Sequence, residues 1–307
     1  MSASIINPIK NMTLLGKSIA VAGVLLAGQT ALHTWDIEDR FSMTWREWFT
    51  PANVKKESVW LNNYQLEAMA EIPEVQDNLS GLTYNPETAS FWAILNSPQR
   101  LLELDENYQI VRTVTLKNFT DTEALSFAGN GQMVIADERD QSIVIAVIDD
   151  YTTELDKHEL KRVTLNTGGG NNKGFEGIAV NSRDDIIYVV RERDPMRLLT
   201  VHGLLQDGSA LRIEEHPEIN VNKLPIDDLS GLFLDDITGN LLLLSDESMV
   251  LAEVTPDGKT ISYLELDSGF HGLTTAVPQA EGIAIGPDRS IHIVSEPNLI
   301  YRFERKL

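Results

Sequence analysis

A short motif recurs five times along the chain, and each copy begins an apolar run. The copies lie at residues 79–82, 122–125, 175–178, 229–232 and 280–283. Their second residues are Ser80, Glu123, Glu176, Ser230 and Glu281, at spacings of 43, 53, 54 and 51 positions. A repeat of this length, built from short strand-like runs, is typical of architectures in which each unit is one small sheet.

Each repeat is predicted to form a small antiparallel sheet. The first shows four strand-like runs, at 80–84, 90–95, 100–104 and 110–116, separated by turn sequences such as Asn85-Pro86-Glu87-Thr88. The fifth shows only three, at 281–285, 290–294 and 299–303. Residues 64–72 alternate in polarity like a half-buried strand and can fill the missing place. The sequence therefore predicts an all-β fold, a five-bladed β-propeller closed by an N-terminal strand.

Composition narrows the function classes. The net charge is −21, which argues against binding a nucleic-acid backbone and fits either cation binding or a well-solvated surface. There are no cysteines, so disulfides, thiolate metal sites and cysteine nucleophiles are excluded.

The N-terminal region is predicted to contain a membrane-targeting segment. Residues 12–34 are mostly apolar and follow Lys10, so residues 1–34 are predicted to be a signal anchor or a signal peptide, and 35–62 a linker to a propeller at 63–307. No small-residue cleavage site is evident, which favours an anchor over a cleaved peptide. The expected location is the inner membrane with the propeller in the periplasm, or release into the periplasm if the segment is cleaved.

The five motif residues are expected to face one another. The first strand of each propeller blade lines the axis, so Ser80, Glu123, Glu176, Ser230 and Glu281 would form a ring near one mouth of the channel. Three converging carboxylates raise one another's pKa or require a cation. Oxygen-only ligands favour a hard ion, and we predict one axial Ca²⁺ ahead of Mg²⁺. The alternative is that these side chains only hydrogen-bond neighbouring blades and fix their register.

Polar residues that follow the second strands are predicted to surround the same mouth. With one loop histidine they form a candidate ligand-binding set: Asn96, Asp137, Glu138, Arg139, Arg191, Glu192, Arg193, Asp246, Glu247, His271, Ser295 and Glu296. The alternative is a belt of salt bridges between blades.

Several of these stretches resemble the SdiA-regulated (YjiK-like) family of bacterial proteins. The resemblance covers residues 64–307 and includes Asp137-Glu138-Arg139-Asp140, Gly174-Phe175-Glu176-Gly177 and Gln279-Ala280-Glu281-Gly282. It implies a membrane-anchored or exported β-propeller and no particular activity.

A more remote resemblance bears on the metal. The order Ser, Glu, Glu, Ser, Glu, one per blade, is similar to the axial calcium ring of the five-bladed calcium-activated nucleotidases (apyrases). That likeness implies that the five ring residues are Ca²⁺ ligands. The substrate-binding motifs of those enzymes are not recognisable, so only the ring carries over.

Two functions fit these expectations. The first is a calcium-binding module whose mouth takes a small anionic ligand or a protein partner, which the lack of a nucleophile–base pair favours. The second is a Ca²⁺-dependent phosphohydrolase or esterase, in which the ion activates water and Glu138, Glu192, Asp246 or Glu296 is the base.

Overall fold

The computed structural model describes residues 48–165 and 174–306. The chain divides into two compact units, Met1–Thr50 and Pro51–Leu307. Within the second unit, strands β1 to β21 form five sheets. The predicted apolar segment at 12–34 lies outside the described residues. Within the described ranges, no helix is both long and apolar enough to cross a bilayer.

Each sheet is one blade, numbered here by the position of its inner strand in the chain. Blade 1 contains β2 (Leu79–Asn85), β3 (Ser90–Asn96), β4 (Gln99–Leu104) and β5 (Ile110–Lys117). Blade 2 contains β6 (Thr122–Gly129), β7 (Gln132–Asp137), β8 (Ser142–Val147) and β10 (Lys161–Thr164). Blade 3 contains β11 (Phe175–Asn181), β12 (Ile186–Arg191), β13 (Arg197–His202) and β14 (Arg212–Glu215). Blade 4 contains β15 (Gly231–Leu234), β16 (Leu241–Ser245), β17 (Val250–Val254) and β18 (Thr260–Glu265). Blade 5 contains β19 (Ala280–Ile285), β20 (Ile291–Ser295), β21 (Leu299–Arg305) and β1 (Tyr64–Glu71).

The inner strands close into a ring, which confirms the five-bladed propeller. Strand β2 contacts β6, β6 contacts β11, β11 contacts β15, β15 contacts β19, and β19 returns to β2. The core lies between adjacent blades: Phe175 and Ile187 of blade 3 pack with Val134 of blade 2, for example, and Phe91 of blade 1 packs with Ile300 of blade 5. Burial of these apolar faces holds the blades side by side.

The closure by the N-terminal strand is confirmed. Strand β1 pairs antiparallel with β21, from Tyr64 opposite Arg305 to Glu71 opposite Leu299. The first and last strands of the propeller therefore share blade 5, as the three-stranded fifth repeat predicted. This pairing also ties the two ends of the propeller together, which removes two exposed sheet edges.

One strand departs from the simple repeat. Strand β9 (Glu154–Asp156) leaves blade 2 and pairs in parallel with β5 of blade 1. A 3₁₀ turn at Lys157–Glu159 follows it. The Lys157 ammonium, which is 3% exposed, lies 2.7 Å from Asp137 and 2.5 Å from Asp140. This buried pairing fixes the excursion between blades 1 and 2.

Part of the predicted linker belongs to the propeller body. A short helix, α1 (Ala52–Lys56), is followed by Val59, Trp60 and Leu61, which are all buried. The backbone N–H groups of Val59 and Trp60 donate to the carboxylate of Glu253, at 2.8 and 2.9 Å. The chain is thus attached to blade 4 before it enters β1.

Candidate metal centre

Four of the five ring residues lie at an irregularity at the start of their inner strands. In blade 1, Leu79 pairs with Leu95 and Gly81 with Ile94, so that Ser80 is an extra residue with no partner of its own. The same bulge occurs at Glu123, Glu176 and Glu281. A β-bulge turns the extra side chain out of the regular alternation. The bulges explain why the motif residues, one in each of these four blades, are directed alike.

Strand β15 of blade 4 begins at Gly231, immediately after the fifth ring residue. The backbone N–H of Ser230 donates to Leu244, the residue that pairs with Gly231. Ser230 therefore stands beside an inner strand without adding a regular pair of its own, as the four bulged residues do.

The small residue after each ring residue is required by the closeness of the inner strands. A Cβ atom on Gly177 would lie 2.7 Å from the backbone nitrogen of Leu232, and one on Gly282 would lie 2.7 Å from the Cα of Gly81. Such contacts with neighbouring backbone cannot be relieved by moving a side chain. Glycine therefore follows the ring residue in four blades, and Ala124 takes this place in blade 2.

Three glutamates and a serine of the ring line one cavity of about 330 Å³ at the mouth of the channel. They are Glu123, Glu176, Ser230 and Glu281. The fifth ring residue, Ser80, is 2% exposed and hydrogen-bonds Glu123. The structure therefore brings the five predicted residues to one end of the axis.

The three carboxylates have strongly perturbed acidities. Burial, partly offset by hydrogen bonds from Asn96 and Ser80, raises the pKa of Glu123 to about 7. Burial, reinforced by the charge of Glu123, raises the pKa of Glu281 to about 9. Burial and then the charges of Glu123, Glu138 and Glu281 raise the pKa of Glu176 well above its ordinary value. Neighbouring carboxylates therefore add to the effect of burial at all three ring glutamates, and a bound cation would offset it.

The ring serines are hydrogen-bonded to the blade that lies next along the chain. Ser230 donates from Oγ to the carbonyl oxygen of Ala280 at 2.6 Å, while Ser80 bonds Glu123. The serines therefore do fix the register of neighbouring blades. Their oxygens nevertheless remain at the level of the ring.

Asn96 presents an oxygen with no partner. Its amide nitrogen donates to Oε1 of Glu123 at 3.1 Å, and among the described residues its buried Oδ1 has no hydrogen-bond partner. Asn96 also lines the cavity. An unsatisfied amide oxygen beside carboxylates is the kind of ligand that a hard cation prefers.

A second carboxylate group adjoins the ring. Ligand atoms of Asp121, Glu123 and Glu138 lie within 4.8 Å of one another. Glu138 accepts a hydrogen bond from the backbone N–H of Gly174 at 2.8 Å and shares another with Glu176. The exposed Arg139 pairs with Asp121 at 2.8 Å. The negative charge of the ring thus extends toward the seam between blades 2 and 3.

Comparison with known families supports the sequence resemblance. The model of the SdiA-regulated family matches residues 56–304. The chain belongs to the SdiA-regulated family. The match includes all five blades and all five ring residues.

Solved structures of other proteins share the fold. A glutaminyl cyclase from Myxococcus xanthus is 13% identical with a TM-score of 0.52, and the match covers 78% of this chain and 95% of that one. A calcium-binding protein, regucalcin, from Agrobacterium tumefaciens is 15% identical with a TM-score of 0.51, covering 78% and 94%. At these identities the likeness extends to the propeller fold alone.

Six of the predicted mouth residues line the cavity of this SdiA-regulated propeller. They are Asn96, Glu192, Arg193, Asp246, Glu247 and Glu296. The guanidinium of Arg193 is bound by Glu192 and, at 2.6 Å, by Glu247. Burial raises the pKa of Asp246 and also that of Glu296. Half of the predicted ligand-binding set therefore lines one cavity, and the predicted interblade salt bridge is present between Arg193 and Glu247.

Four other predicted mouth residues lie elsewhere. Asp137 is fully buried and bound by Lys157, Arg191 is 2% exposed inside blade 3, and Ser295 donates to the carbonyl of Pro278. His271 contacts the carbonyl oxygen of Tyr64 and the carboxylate of Glu265, each at 2.7 Å, and so holds the closing strand β1. Strand ends place polar residues near the mouth, but Asp137, Ser295 and His271 are bound by local partners and Arg191 is buried within its blade.

The sequence interpretation missed Asp121, Asp228 and Gln279. Asp228 and Gln279 line the cavity, and Asp121 joins the adjoining carboxylate group. The repeated motif does contain a signal for these three residues. The residues two positions before the ring residues are Asn78, Asp121, Gly174, Asp228 and Gln279, four of them polar.

Proposed function

We propose that this protein is a calcium-binding β-propeller whose ion lies on the axis, held by the ring of Ser80, Glu123, Glu176, Ser230 and Glu281. The observation that supports this most is the convergence of three partly buried glutamates, whose pKa values burial and neighbouring carboxylates all raise. In the described parts of the chain, no lysine or arginine pairs with any of the three. A divalent cation is the simplest way to compensate them.

The donor set fits Ca²⁺. Carboxylate, hydroxyl and amide oxygens are hard ligands, and Ca²⁺ accepts six to eight of them at about 2.3–2.6 Å in flexible geometry. We include Asn96 as an additional ligand, because its Oδ1 has no other partner in the part of the chain that the structure describes. The regucalcin of the same fold is described as calcium-binding, but at 15% identity the proposal depends on the residues of this chain.

The best-supported role for the mouth is binding rather than catalysis. The cavity above the ring is lined by carboxylates and amides, and in the described residues it contains no serine or cysteine nucleophile paired with a base. Its lining includes eight carboxylates and one arginine, so an anionic ligand would have to bind through the ion. A loaded ion would thus orient a ligand or protein partner at the mouth.

A Ca²⁺-dependent phosphohydrolase or esterase is the second candidate. It is favoured by the raised pKa values of Asp246 and Glu296, which burial brings toward the range of a general base. When bound, the ion would polarise an oxygen of the substrate or lower the pKa of a water. In that case Asp246 or Glu296 would accept the proton.

The metal proposal is tested on the purified full-length chain. We expect metal analysis to find about one tightly held Ca²⁺ per chain, and Ca²⁺ to raise the melting temperature after chelation, since an ion that binds only the folded state stabilises it. Glu176→Gln should abolish this shift, whereas the control Glu106→Gln, on the opposite face, should keep it. Absence of an ion and of a shift in the unmodified protein would refute the proposal.

The same preparation separates the two candidate roles. Release of phosphate or alcohol from model phosphate esters and carboxylic esters should be measured with Ca²⁺ and with chelator. Chelator-sensitive turnover that Glu176→Gln abolishes would establish the hydrolase. Lack of turnover while Ca²⁺ remains bound supports the binding module.

We further propose that residues 12–34 hold the propeller at the outer face of the inner membrane, on the strength of their apolar character after Lys10. Retention of the full chain in the membrane fraction after alkaline extraction would support this. Recovery of the full chain in the cytoplasm would contradict it.

A further inference from the structure

The face opposite the ring carries a larger cavity, of about 650 Å³. It lies between blades 5 and 1, where the hairpin turns β2–β3, β4–β5 and β19–β20 meet. Its side wall is formed by β1 and β21, the two strands that close the propeller. Small-molecule sites in proteins commonly enclose about 300–1,000 Å³, so this cavity is of suitable size. It shares no residue with the cavity at the ring.

The floor of this seam cavity is aromatic. The ring of Phe91 lies 4.3 Å from that of His292 and 5.1 Å from that of Tyr84, and Tyr108 meets His292 edge-on at 5.9 Å. Tyr84 is only partly buried, so it offers part of its ring to a ligand. Strand β1 contributes only the methyl groups of Ala68 and Ala70 at the wall, which leaves the space above the aromatic floor open.

Polar contacts make this floor rigid. Tyr108 Oη lies 2.9 Å from Nδ1 of His292, and Ser290 Oγ lies 2.7 Å from Nε2. Ser290 in turn donates to Asp288, which accepts from Arg302 at 2.7 Å. Burial lowers the pKa of His292 to about 4, so the imidazole is neutral near pH 7. Both of its nitrogens are engaged, which fixes the ring in place.

The rim combines donors and acceptors with little net charge. Glu106 and Asp288 contribute two carboxylates, Arg302 contributes one guanidinium, and the amide of Asn107 can both donate and accept. The charge of Arg302 is already shared between Asp288 and Glu304. An anionic ligand would therefore find no unpaired cation here among the described residues. This contrasts with the carboxylate-lined cavity at the ring.

From this arrangement we propose that the seam cavity binds a neutral saccharide, with one face of a sugar ring against Tyr84 and hydroxyl groups at the rim formed by Glu106, Asn107 and Asp288. A pyranose has an apolar face of C–H groups and an edge of hydroxyls that both donate and accept. The cavity offers the matching surfaces: an aromatic floor, a mixed polar rim and a nearly neutral charge. Because β1 and β21 form the wall, a bound sugar also stabilises the closure of the propeller.

The test uses isothermal titration of the full-length chain with chelator present, so that the proposed metal site cannot contribute. The probes are glucose, N-acetylglucosamine and cellobiose, with glucose 6-phosphate as a charged counterpart and indole as a flat aromatic one. We expect at least one neutral sugar to bind and to raise the melting temperature, and glucose 6-phosphate to bind more weakly than glucose.

A matched pair of variants on one strand locates the binding. Ala68 lines the cavity and is exposed, so Ala68→Trp should fill the space and weaken sugar binding about tenfold or more, equivalent to about 1.4 kcal/mol. Met69 is 56% exposed on the other side of β1, so Met69→Trp should leave the affinity unchanged. Binding of indole alone, binding of no neutral sugar, or sugar binding that survives Ala68→Trp would each overturn the proposal.

Discussion

Two groups of carboxylates in this propeller, one buried and one partly buried, differ in their hydrogen-bond and ion-pair partners. Glu253 of blade 4 is 0% exposed and accepts hydrogen bonds from Val59, Trp60, Asn240 and Ser262, at 2.5 to 2.9 Å. Its charge is compensated entirely from within the chain. Asp235, also in blade 4, is 2% exposed and holds both terminal nitrogens of Arg289, at 2.6 and 3.0 Å.

Among the described residues, the axial glutamates lack such compensation. Glu123 receives hydrogen bonds from Asn96 and Ser80, but the nearest charges to Glu176 and Glu281 are other carboxylates. Burial alone therefore does not mark a functional carboxylate, since Glu253 is buried more completely and is structural. What distinguishes the ring is burial without a cationic or sufficient hydrogen-bonding partner. The predictions below depend on this difference.

The largest effect is expected at Glu253. Glu253→Gln places an amide NH₂ against backbone N–H donors and should destabilise the protein by about 3 kcal/mol, since it breaks a buried charged hydrogen-bond network. The loss should be equal with and without Ca²⁺. Thermal denaturation in both conditions measures it, with the exposed Glu154→Gln as control. A loss that Ca²⁺ reverses would mean that Glu253 belongs with the ring.

A substitution in the ring is expected to change the stability of the metal-free protein in the opposite direction. Glu281→Gln removes a carboxyl group whose pKa the fold raises to about 9, so the metal-free protein should become more stable, by about 2 kcal/mol near pH 7. The same variant should lose its response to Ca²⁺. Denaturant unfolding with chelator and with Ca²⁺ gives both quantities. Destabilisation of the metal-free protein would show that the ring is structural in the way that Glu253 is.

The two groups should also respond oppositely to pH in the metal-free protein. Glu123 and Glu281 bind their protons more tightly in the folded state, with pKa values of about 7 and about 9, than in the unfolded chain, near 4.5. Their contribution is fully present below pH 4.5 and is lost as the pH rises toward 9.

The contribution of Asp235 to stability depends on pH in the opposite direction. Burial favours the protonated form, but hydrogen bonds and charge from Arg289, with Thr238, outweigh it and lower the pKa. Its contribution is present above the ordinary value of 3.8 and is lost on acidification below it. The free energy of unfolding measured from pH 3 to 9 checks both pH ranges. Saturating Ca²⁺ should reduce the pH dependence that Glu123 and Glu281 cause. A metal-free protein that gains stability between pH 5 and 9 would contradict the account of the ring.

The smallest effect is expected at Asn96. Asn96→Ala removes the unpartnered Oδ1 and should weaken Ca²⁺ binding about tenfold, or about 1.4 kcal/mol, with little change in metal-free stability. Calcium titration of the two proteins measures the difference. An unchanged affinity for Ca²⁺ would show that Asn96 is not a ligand and that the ligand set consists of the five ring residues.

The fold was predictable from the sequence because the pattern of strand-like runs recurs in every repeat. The motif spacing predicted five inner strands, and the incomplete fifth repeat predicted the pairing of β1 with β21. The excursion of β9 to blade 1 was not predictable in this way. It depends on the buried contact of Lys157 with Asp137, which are 20 positions apart in the chain.

The site was predictable only at the level of the motif. Ser80, Glu123, Glu176, Ser230 and Glu281 meet because a repeated position on repeated strands must converge on the axis. The mouth depends instead on individual loops. Asp137 and His271 have polarity suited to a ligand site, but they are bound by Lys157 and Glu265, which sequence spacing does not reveal. The bulges, which direct the ring side chains, likewise leave no clear trace in the composition of a strand.

Diffraction from crystals of the full-length chain grown with Ca²⁺, recorded at a wavelength where calcium scatters anomalously, tests the central claim most directly. The account predicts one strong anomalous peak on the propeller axis, about 2.3–2.6 Å from carboxylate oxygens of Glu123, Glu176 and Glu281. Absence of a peak at saturating Ca²⁺, or a peak only beside Asp121 and Glu138, would contradict it.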